Sequence, residues 1–495
     1  MALWFGVMGD LSRLARSRAS AYVHGMDAAR ALAEQVRARL GERAVITDPS
    51  DLAPWLNDWR GRWTGQATAL LQPDSTEEVA EIVRLAEEGG VPLVPQGGNT
   101  SMVGGATPAA DGGALLLSLR RLNQVRTIGR EQAVVEAGVI LSNLHDAAEA
   151  RGRRFPLTLG AKGSATIGGL ASTNAGGTQV LRFGTMRQLV TGVEAVLSGG
   201  LVHDGLAGLK KDNRGYALDQ LLIGAEGTLG IVTAVAVRLV PAVVARGAAW
   251  IGLADPQAGL DLLQGLQERT DRIEGFEILP QDSLDRVLRH IPGTRAPLAG
   301  RHNWHVLIEA TSTNAGEEPP AELLVRLLEP ALTEGLVEDA TVAASEAQAE
   351  AFWHIRHSIS QAEKKSGPAM QHDISVPVAT MPRFMVEAAR EVEQRFPGTH
   401  ASGFGHLGDG NVHFHVRAPA GAPPGWGERE GAAASRFVHD LVTAAGGSIS
   451  AEHGIGQMKR GELERLGSPA RLSAMRAIKH AMDPHGIFNP GKLIA

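Results

Sequence analysis

The chain has 495 residues, 43% of them hydrophobic and 21% charged, and its 48 basic and 54 acidic side chains leave a net charge of −6. That length favours two or three domains over a single core, and the charge offers no basic footprint for nucleic acid. Cysteine is absent, which excludes disulfides, iron–sulfur clusters, thiolate metal sites and cysteinyl cofactor links, and is compatible with a cytoplasmic location.

The opening stretch, MALWFGVMGDLSRLARSRASAYVHG, sets an apolar patch before Arg13, Arg16 and Arg18. A secretory signal puts its charges first, so this stretch reads as an amphipathic lead-in helix or a frayed start. No run reaches the eighteen or more apolar residues of a transmembrane segment. Ser75 and Glu78 make a capping box, and Val79, Ile82, Val83 and Ala86 mark one helical face that Gly89 and Gly90 stop. VPLVPQ, GALLLSL and AVVEAGV read as strands and LSNLHDAAEARG as a helix. VTGVEAVLSGGLVHDG reads as two strands around a Gly199–Gly200 turn, and GTLGIVTAVAVRLVP as a strand ended by Pro241.

Beyond residue 242 the glycines thin out. DPQAGLDLLQGLQER, PPAELLVRLLEPALTEG and SEAQAEAFWHIRHSISQAEKK read as helices, with WHVLIEA and HDISVPV as strands between them. APAGAPPGW is a Pro/Gly excursion before helices near 428–445 and 468–482. The fold class is α+β rather than a regular Rossmann alternation. Its parts are a lead-in (1–45), a glycine-rich domain (46–242), a second α+β domain (243–425) and a C-terminal helical segment (426–495).

The glycine clusters carry the first functional signal. PQGGNTSMVGG, Pro95 to Gly105, supplies successive free amides suited to a pyrophosphate, or else is a surface turn. It is neither a P-loop nor a dinucleotide fingerprint. LGAKGSATIGGLASTNAGG, 159–177, is a second such loop, and the pair suits a large cofactor with two phosphates. GAEGTLGIV, 224–232, adds a third close approach, where Glu226 meets a ribose or ring, or caps a turn.

GFGHLGDGNVHFHV carries the second. Its alternation puts His413 and His415 on one side of a strand, and the Gly408-Asp409-Gly410 turn folds His406 back beside His413. With Glu452 of SAEHGIG these residues make a candidate divalent site, His453 bordering the same pocket; the alternative is strand histidines with ordinary hydrogen bonds. Arg356 and Ser360, four apart, share a helix face that either grips a carboxylate or is solvated.

Together, PQGGNTSMVGG, GAKGSATIGG, TNAGG, KKDNRGY, GAEGTLGI and GFGHLGDGNVHFHV resemble the D-2-hydroxyglutarate dehydrogenase-like D-2-hydroxyacid dehydrogenases. These belong to the vanillyl-alcohol oxidase / p-cresol methylhydroxylase flavoproteins, and the resemblance runs from about residue 60 to the end. It implies a PCMH-type FAD-binding domain, an α+β substrate (cap) domain, and a C-terminal segment whose IFNPGK returns Asn489 to the flavin. Implied FAD contacts in the first loop are Pro95, Gln96, Gly97, Gly98, Asn99, Thr100, Ser101, Gly104 and Gly105. The second region adds Pro156, Gly160, Ala161, Ser164, Ile167, Gly168, Gly169, Thr173, Asn174 and Gly177, and the third Glu226, Gly230 and Ile231. Some members tether FAD through a first-loop histidine; this loop has none, so a non-covalent FAD is expected.

The resemblance further implies that His406, His413 and Glu452 bind a divalent metal, zinc or manganese, that His453 is the catalytic base, and that Arg356 and Ser360 bind substrate. Two positions depart from the pattern: Gln371 stands where the 2-hydroxyglutarate enzymes have a lysine, and His415 where they have an asparagine. Both are substrate-binding candidates, and the lost cation puts a diacid substrate in question. The expected activity is FAD- and metal-dependent oxidation of a D-2-hydroxy acid, 2-hydroxyglutarate or a related acid, with electrons leaving to an external acceptor. The resemblance suggests an electron-transfer flavoprotein for that role. The alternatives are a D-lactate or glycolate enzyme donating to quinone or a partner subunit, and a flavin-binding protein without turnover, against which the intact residue set argues. A homodimer is left open.

Overall fold

The structure, a computed structural model, describes residues 25–494. The lead-in reading of the opening stretch falls on 1–24, outside that range. Residues 25–40 are helical and bury Ala29, Leu32, Ala33 and Val36.

Short apolar runs cut by glycine and proline turns form two sheets in the first half. Four strands stand in the order Val45–Ile46, Leu70–Leu71, Leu115–Ser118 and Leu93–Gln96, the last three mutually parallel. Five antiparallel strands follow the order Val125–Ile128, Gln132–Glu136, Ile231–Arg238, Val190–Val196 and Val202–Asp204. The helix Thr76–Gly89 packs between the sheets. Its Val79, Ile82, Val83 and Ala86 share a cluster with Leu93 and Leu115 of the first sheet and Val196 and Ile231 of the second. Ser75 Oγ accepts the Glu78 N–H at 3.2 Å, whereas the Glu78 carboxylate accepts from Asp74 N–H rather than from Ser75. Gly90, at φ 61°, ends the helix in a left-handed position that suits glycine.

The second half builds one antiparallel sheet of seven strands. Their order is Asp339–Val342, Ala245–Leu253, Trp304–Ser312, Ile273–Pro280, His400–His406, Asn411–Arg417 and Ala369–Ser375. Helices cover both faces, so alternate residues of one strand enter different cores. Ala249, Ile251 and Ile308 meet the helices Pro256–Gln267, Pro320–Thr333, Met381–Arg395 and Glu430–Ala444. Ala248, Trp250 and Leu307 meet Gln281–His290 and Glu346–Lys365. Glu430–Ala444 therefore completes this sheet's core through Ala434, Val438 and Val442.

The chain then crosses back to the first half. Ile478 and Met482 of the helix Pro469–Met482 pack on the core of the five-stranded sheet. Leu93 N–H donates to Ile487 O, and Asn489 N–H donates to Leu93 O. A second tie is ionic: Arg154 and Arg182 both reach the buried Glu274 of the seven-stranded sheet.

One buried histidine sets an acid limit on this fold. Trp250 Nε1–H donates to His305 Nδ1 at 3.1 Å, and His305 Nε2 lies 2.9 Å from Gln281 Oε1. The first bond needs a bare Nδ1, so the ring is neutral with its proton on Nε2. Burial, with His302 adding, lowers its pKa to about 4. The folded value lies below the unfolded 6.5, so its stabilising contribution is complete above pH 6.5 and fades as pH falls toward 4. Urea unfolding is expected to show a loss on the order of 3 kcal/mol from this group across that window. His305→Gln should remove that part of the slope; an identical slope in the variant would refute the assignment.

Candidate active site

Three glycine segments close on one cavity of about 580 Å³. The first loop lines it with Pro95, Gln96, Gly97, Gly98, Thr100, Ser101 and Gly105, and the second with Gly160, Ala161, Gly168, Gly169 and Thr173. Glu226, Gly230 and Ile231 add the third wall and Asn489 the fourth. Asn489 is fixed there, its Nδ2 donating to Gly105 O at 3.0 Å and Glu226 O at 2.7 Å. The first two loops pack this closely because Gly97 and Gly98 carry no side chain. A Cβ there would stand 2.2 Å from Thr166 Oγ1 and 2.0 Å from Ser164 O respectively.

Seven expected contacts stand behind this wall. Asn99 donates to Asn57 O, and Gly104 lies against the Trp63 ring. Asn174 accepts from Thr185 and Arg187, and Gly177 packs on Thr158 O. Pro156 and Ile167 are buried, and Ser164 meets Gly98 through its carbonyl. These residues shape the loops instead of lining the space.

The wall is built for a hydrogen-bonding occupant. Thr166 Oγ1, Gln96 Oε1 and Asn489 Oδ1 are buried there without a partner among the described residues. Leaving such atoms unpaired is unfavourable, so the cavity suits a large polar cofactor of the FAD kind.

Beside the cavity stands the histidine face. In Asn411–Arg417, Val412, Phe414 and Val416 enter the core, leaving His413 and His415 on the other side. Gly410, at φ 81°, turns the chain so that His406 meets His413 edge-on, the ring centroids 5.6 Å apart. The flanking strand Ala369–Ser375 sets Asp373 opposite His413 and Gln371 opposite His415. Asp373 Oδ2 then accepts the N–H groups of both Glu452 and His453 at 2.9 Å. On the other side, the Glu226 carboxylate accepts the N–H groups of Ile455 and Gly456 at 2.7 Å. Thus gripped, the segment brings Glu452 and His453 to the cavity wall together.

His406, His413 and Glu452 offer ligand atoms all within 4.8 Å of one another. Behind them lies Glu277. Its Oε1 accepts His406 Nδ1–H at 2.6 Å, and its Oε2 accepts Arg356 Nε–H at 2.8 Å, with Arg356 Nη2 ion-paired to it at 2.8 Å. Burial alone would raise this carboxyl, but His406 and Arg356 outweigh it and hold it at about 2. Against its own burial, His406 is lifted to about 9 by the same carboxylate. With Nδ1 engaged, His406 Nε2 is left toward Glu452 Oε1, 3.7 Å away. A carboxylate behind an imidazole is the usual way a metal-binding histidine is oriented. Burial, with Arg356 and His406 adding, keeps His413 neutral, the form that ligates, while burial raises Glu452. Two imidazoles and a carboxylate without thiolate fit a divalent ion such as zinc or manganese.

His453 Nδ1 lies 3.3 Å from Asp373 Oδ2. Burial lowers its pKa and Asp373 only partly offsets this, so the ring is neutral; Nδ1 faces Asp373, and Nε2 has no hydrogen-bond partner among the described residues. The other expected residues divide. Arg356 is buried beside the histidines with its guanidinium 5.1 Å from the Phe404 ring centroid, whereas Ser360 is exposed. His415 turns to Glu363 at 3.3 Å and stays outside the close ligand group. Gln371 accepts a hydrogen bond from Arg60.

Sequence reasoning missed Glu277, Asp373 and Arg60. A signal existed for the first two: each is a carboxylate inside a strand rich in apolar residues, IEGFEILP and HDISVPV. Buried charge of this kind persists when it is paired.

Residues 67–205 match the FAD binding domain family and residues 245–493 the FAD linked oxidases, C-terminal domain family. The chain is 36% identical over 458 residues to the mitochondrial D-2-hydroxyglutarate dehydrogenase of Arabidopsis thaliana, covering 92% of this chain and 80% of that one. It is 37% identical over 455 residues to the Bos taurus protein of the same name, covering 91% and 81%. It is 32% identical over 460 residues to a putative mitochondrial D-lactate dehydrogenase of Schizosaccharomyces pombe, covering 90% and 86%. Among solved structures, p-cresol methylhydroxylase with substrate bound aligns at TM-score 0.71 and 15% identity, covering 94% of this chain and 96% of that one. That likeness bears out the expected PCMH-type fold.

Proposed function

The chain belongs to the FAD-linked oxidase family, as a relative of D-2-hydroxyglutarate dehydrogenases, and on that premise we propose that it oxidises a D-2-hydroxy acid to the 2-oxo acid. The substrate is 2-hydroxyglutarate or a related acid, the reaction needs FAD and a divalent metal, and the electrons leave to an acceptor outside the chain. One observation carries this reading. Glu452 and His453, adjacent in sequence, border the cavity walled by the glycine loops, while Glu452 also completes the group with His406 and His413.

FAD in that cavity supplies a hydride acceptor, and a divalent ion held by His406, His413 and Glu452 supplies a Lewis acid that eases loss of the substrate hydroxyl proton. The chain's own residues do the remaining work. His453 takes the hydroxyl proton at Nε2, and Asp373 steadies the imidazolium that results. Arg356, hydrogen-bonded to Glu277 through Nε and ion-paired with it, offers the rest of its guanidinium to the substrate carboxylate. A first loop without histidine and a chain without cysteine support a non-covalent FAD.

Anaerobic mixing with D-2-hydroxyglutarate is expected to bleach the oxidised flavin, and the L isomer to leave it yellow. Removing the metal from FAD-loaded protein with a chelator should slow bleaching by about a hundredfold or more, with zinc or manganese restoring it. Undiminished bleaching after chelation would exclude the metal's role. The uncharged Gln371 favours, as a second reading, a D-lactate or glycolate enzyme that donates to quinone or a partner subunit. Faster bleaching by D-lactate than by D-2-hydroxyglutarate would select it.

A further inference from the structure

Gln371 meets a cation from the other half of the chain. Arg60 Nη1–H donates to Gln371 Oε1 at 3.2 Å, although 311 positions separate them. Gln371 stands opposite His415 and two residues before Asp373, on the face that carries His413. Trp59, next to Arg60, shares the cavity wall with His453. Arg60 and Arg62 both add positive potential at His453.

Arg60 has no directly bonded counter-ion among the described residues. Arg356 has Glu277, and Arg286 and Arg417 share Glu363. Arg60 is half-buried, makes no ion pair with a described carboxylate, and its Nε is buried without a hydrogen-bond partner. Asp58 acts on Arg60 through space without bonding it: its Oδ1 accepts from Trp63 N–H at 2.7 Å, and its Oδ2 is buried without a hydrogen-bond partner among the described residues. Burial, with Arg62 adding, lowers the Arg60 pKa, and Asp58 offsets only part of this. A partly desolvated charge that its opposite charge offsets only in part is unfavourable in the free protein. The Trp59 ring, 5.2 Å from the guanidinium, supports it from one side.

Glutamine at 371 has a specific effect here. Its amide oxygen orients the guanidinium but leaves the charge uncancelled. A glutamate there would neutralise Arg60, and a lysine would repel it. The charge is thus presented beside the pocket in a fixed orientation, at a distinct place from Arg356.

We propose that Arg60, oriented by Gln371, binds a second anionic group at the far end of the substrate, so that the enzyme selects 2-hydroxy dicarboxylates over 2-hydroxy monocarboxylates. This rests on the hydroxy-acid oxidation proposed above. Arg356 and Arg60 then hold the two carboxylates, one from each half of the chain. The cation missing at position 371 is replaced from across the cleft.

The test compares D-2-hydroxyglutarate with D-2-hydroxybutyrate as reductants of the FAD- and metal-loaded enzyme. Arg60→Gln is expected to raise KM for the dicarboxylate by about tenfold to a hundredfold, the worth of one charge-assisted bond. KM for the monocarboxylate should move far less, and kcat little for either acid. Arg60→Lys should recover part of the loss. The double variant Arg60→Gln with Gln371→Lys, which moves the cation to the opposite wall, should recover selectivity. Lys364, which lies over the same Trp59 ring but is exposed, serves as the control. Lys364→Gln should change the dicarboxylate KM by less than about fivefold. Equal effects on both acids in Arg60→Gln, or equal effects of Lys364→Gln and Arg60→Gln, would overturn the proposal. Failure of every hydroxy acid to reduce the wild-type flavin would instead overturn the oxidation on which it rests.

Discussion

Asparagine in place of His453 is expected to slow flavin reduction by a D-2-hydroxy acid by about a hundredfold to ten-thousandfold, the usual worth of a positioned general base. The ring has one route to that role. Its Nδ1 faces Asp373, and its backbone N–H is bonded to the same carboxylate oxygen. Ring and backbone are therefore anchored together, and Nε2 is the nitrogen left for substrate. Asparagine retains the backbone bond and much of the volume, so the FAD content of the purified variant should match wild type. Stopped-flow reduction under saturating substrate separates the chemical step from binding, and the loss should appear in kcat with KM little changed. A wild-type rate in the variant would remove His453 from the mechanism.

Glu277→Gln should do comparable damage by a different route. Glu277 lies fully inside the protein between His406 and Arg356 and, among the described residues, is the only carboxylate hydrogen-bonded to either of them. Removing that charge leaves Arg356 buried without its partner, a change that typically costs about 3–5 kcal/mol. It also frees the His406 ring to rotate away from the orientation that points Nε2 at Glu452. Loss of such a carboxylate behind a metal-binding imidazole typically weakens metal uptake by about tenfold to a hundredfold. Urea unfolding of the stripped protein and zinc titration of the refolded variant measure the two effects separately. Wild-type values in both would mean that the buried triad is inert.

Much of the first half was readable because its strands are short and bounded by glycine or proline, and because Thr76–Gly89 carries its own start and stop residues. The large sheet was less readable for a physical reason. Ala245–Leu253 and Ile273–Pro280 are buried on both faces, so neither shows the polar–apolar alternation that marks a half-exposed strand. His413 and His415 illustrate the limit on site residues. Strand period put both on one side, and both are there, yet only His413 joins His406 and Glu452, because Glu363 occupies His415. Such competition depends on a helix some fifty residues earlier in the chain. The same holds for Ser360, whose spacing from Arg356 predicts a shared face but not that one member is buried and the other exposed.

The strap from Glu452 to Gly456 has two owners. Glu226 comes from the first half of the chain and Asp373 from the second, and each holds two consecutive amides of it. The fit is close, since a Cβ on Gly454 would stand 2.8 Å from Glu226 Oε1. Any hybrid that joins the front of one homologue to the back of another must therefore keep both anchors and the strap as a matched set. Where it does not, Glu452 and His453 lose the anchors that bring them to the cavity wall and turnover is expected to stop, because the seam between the parts is itself the working edge of the enzyme.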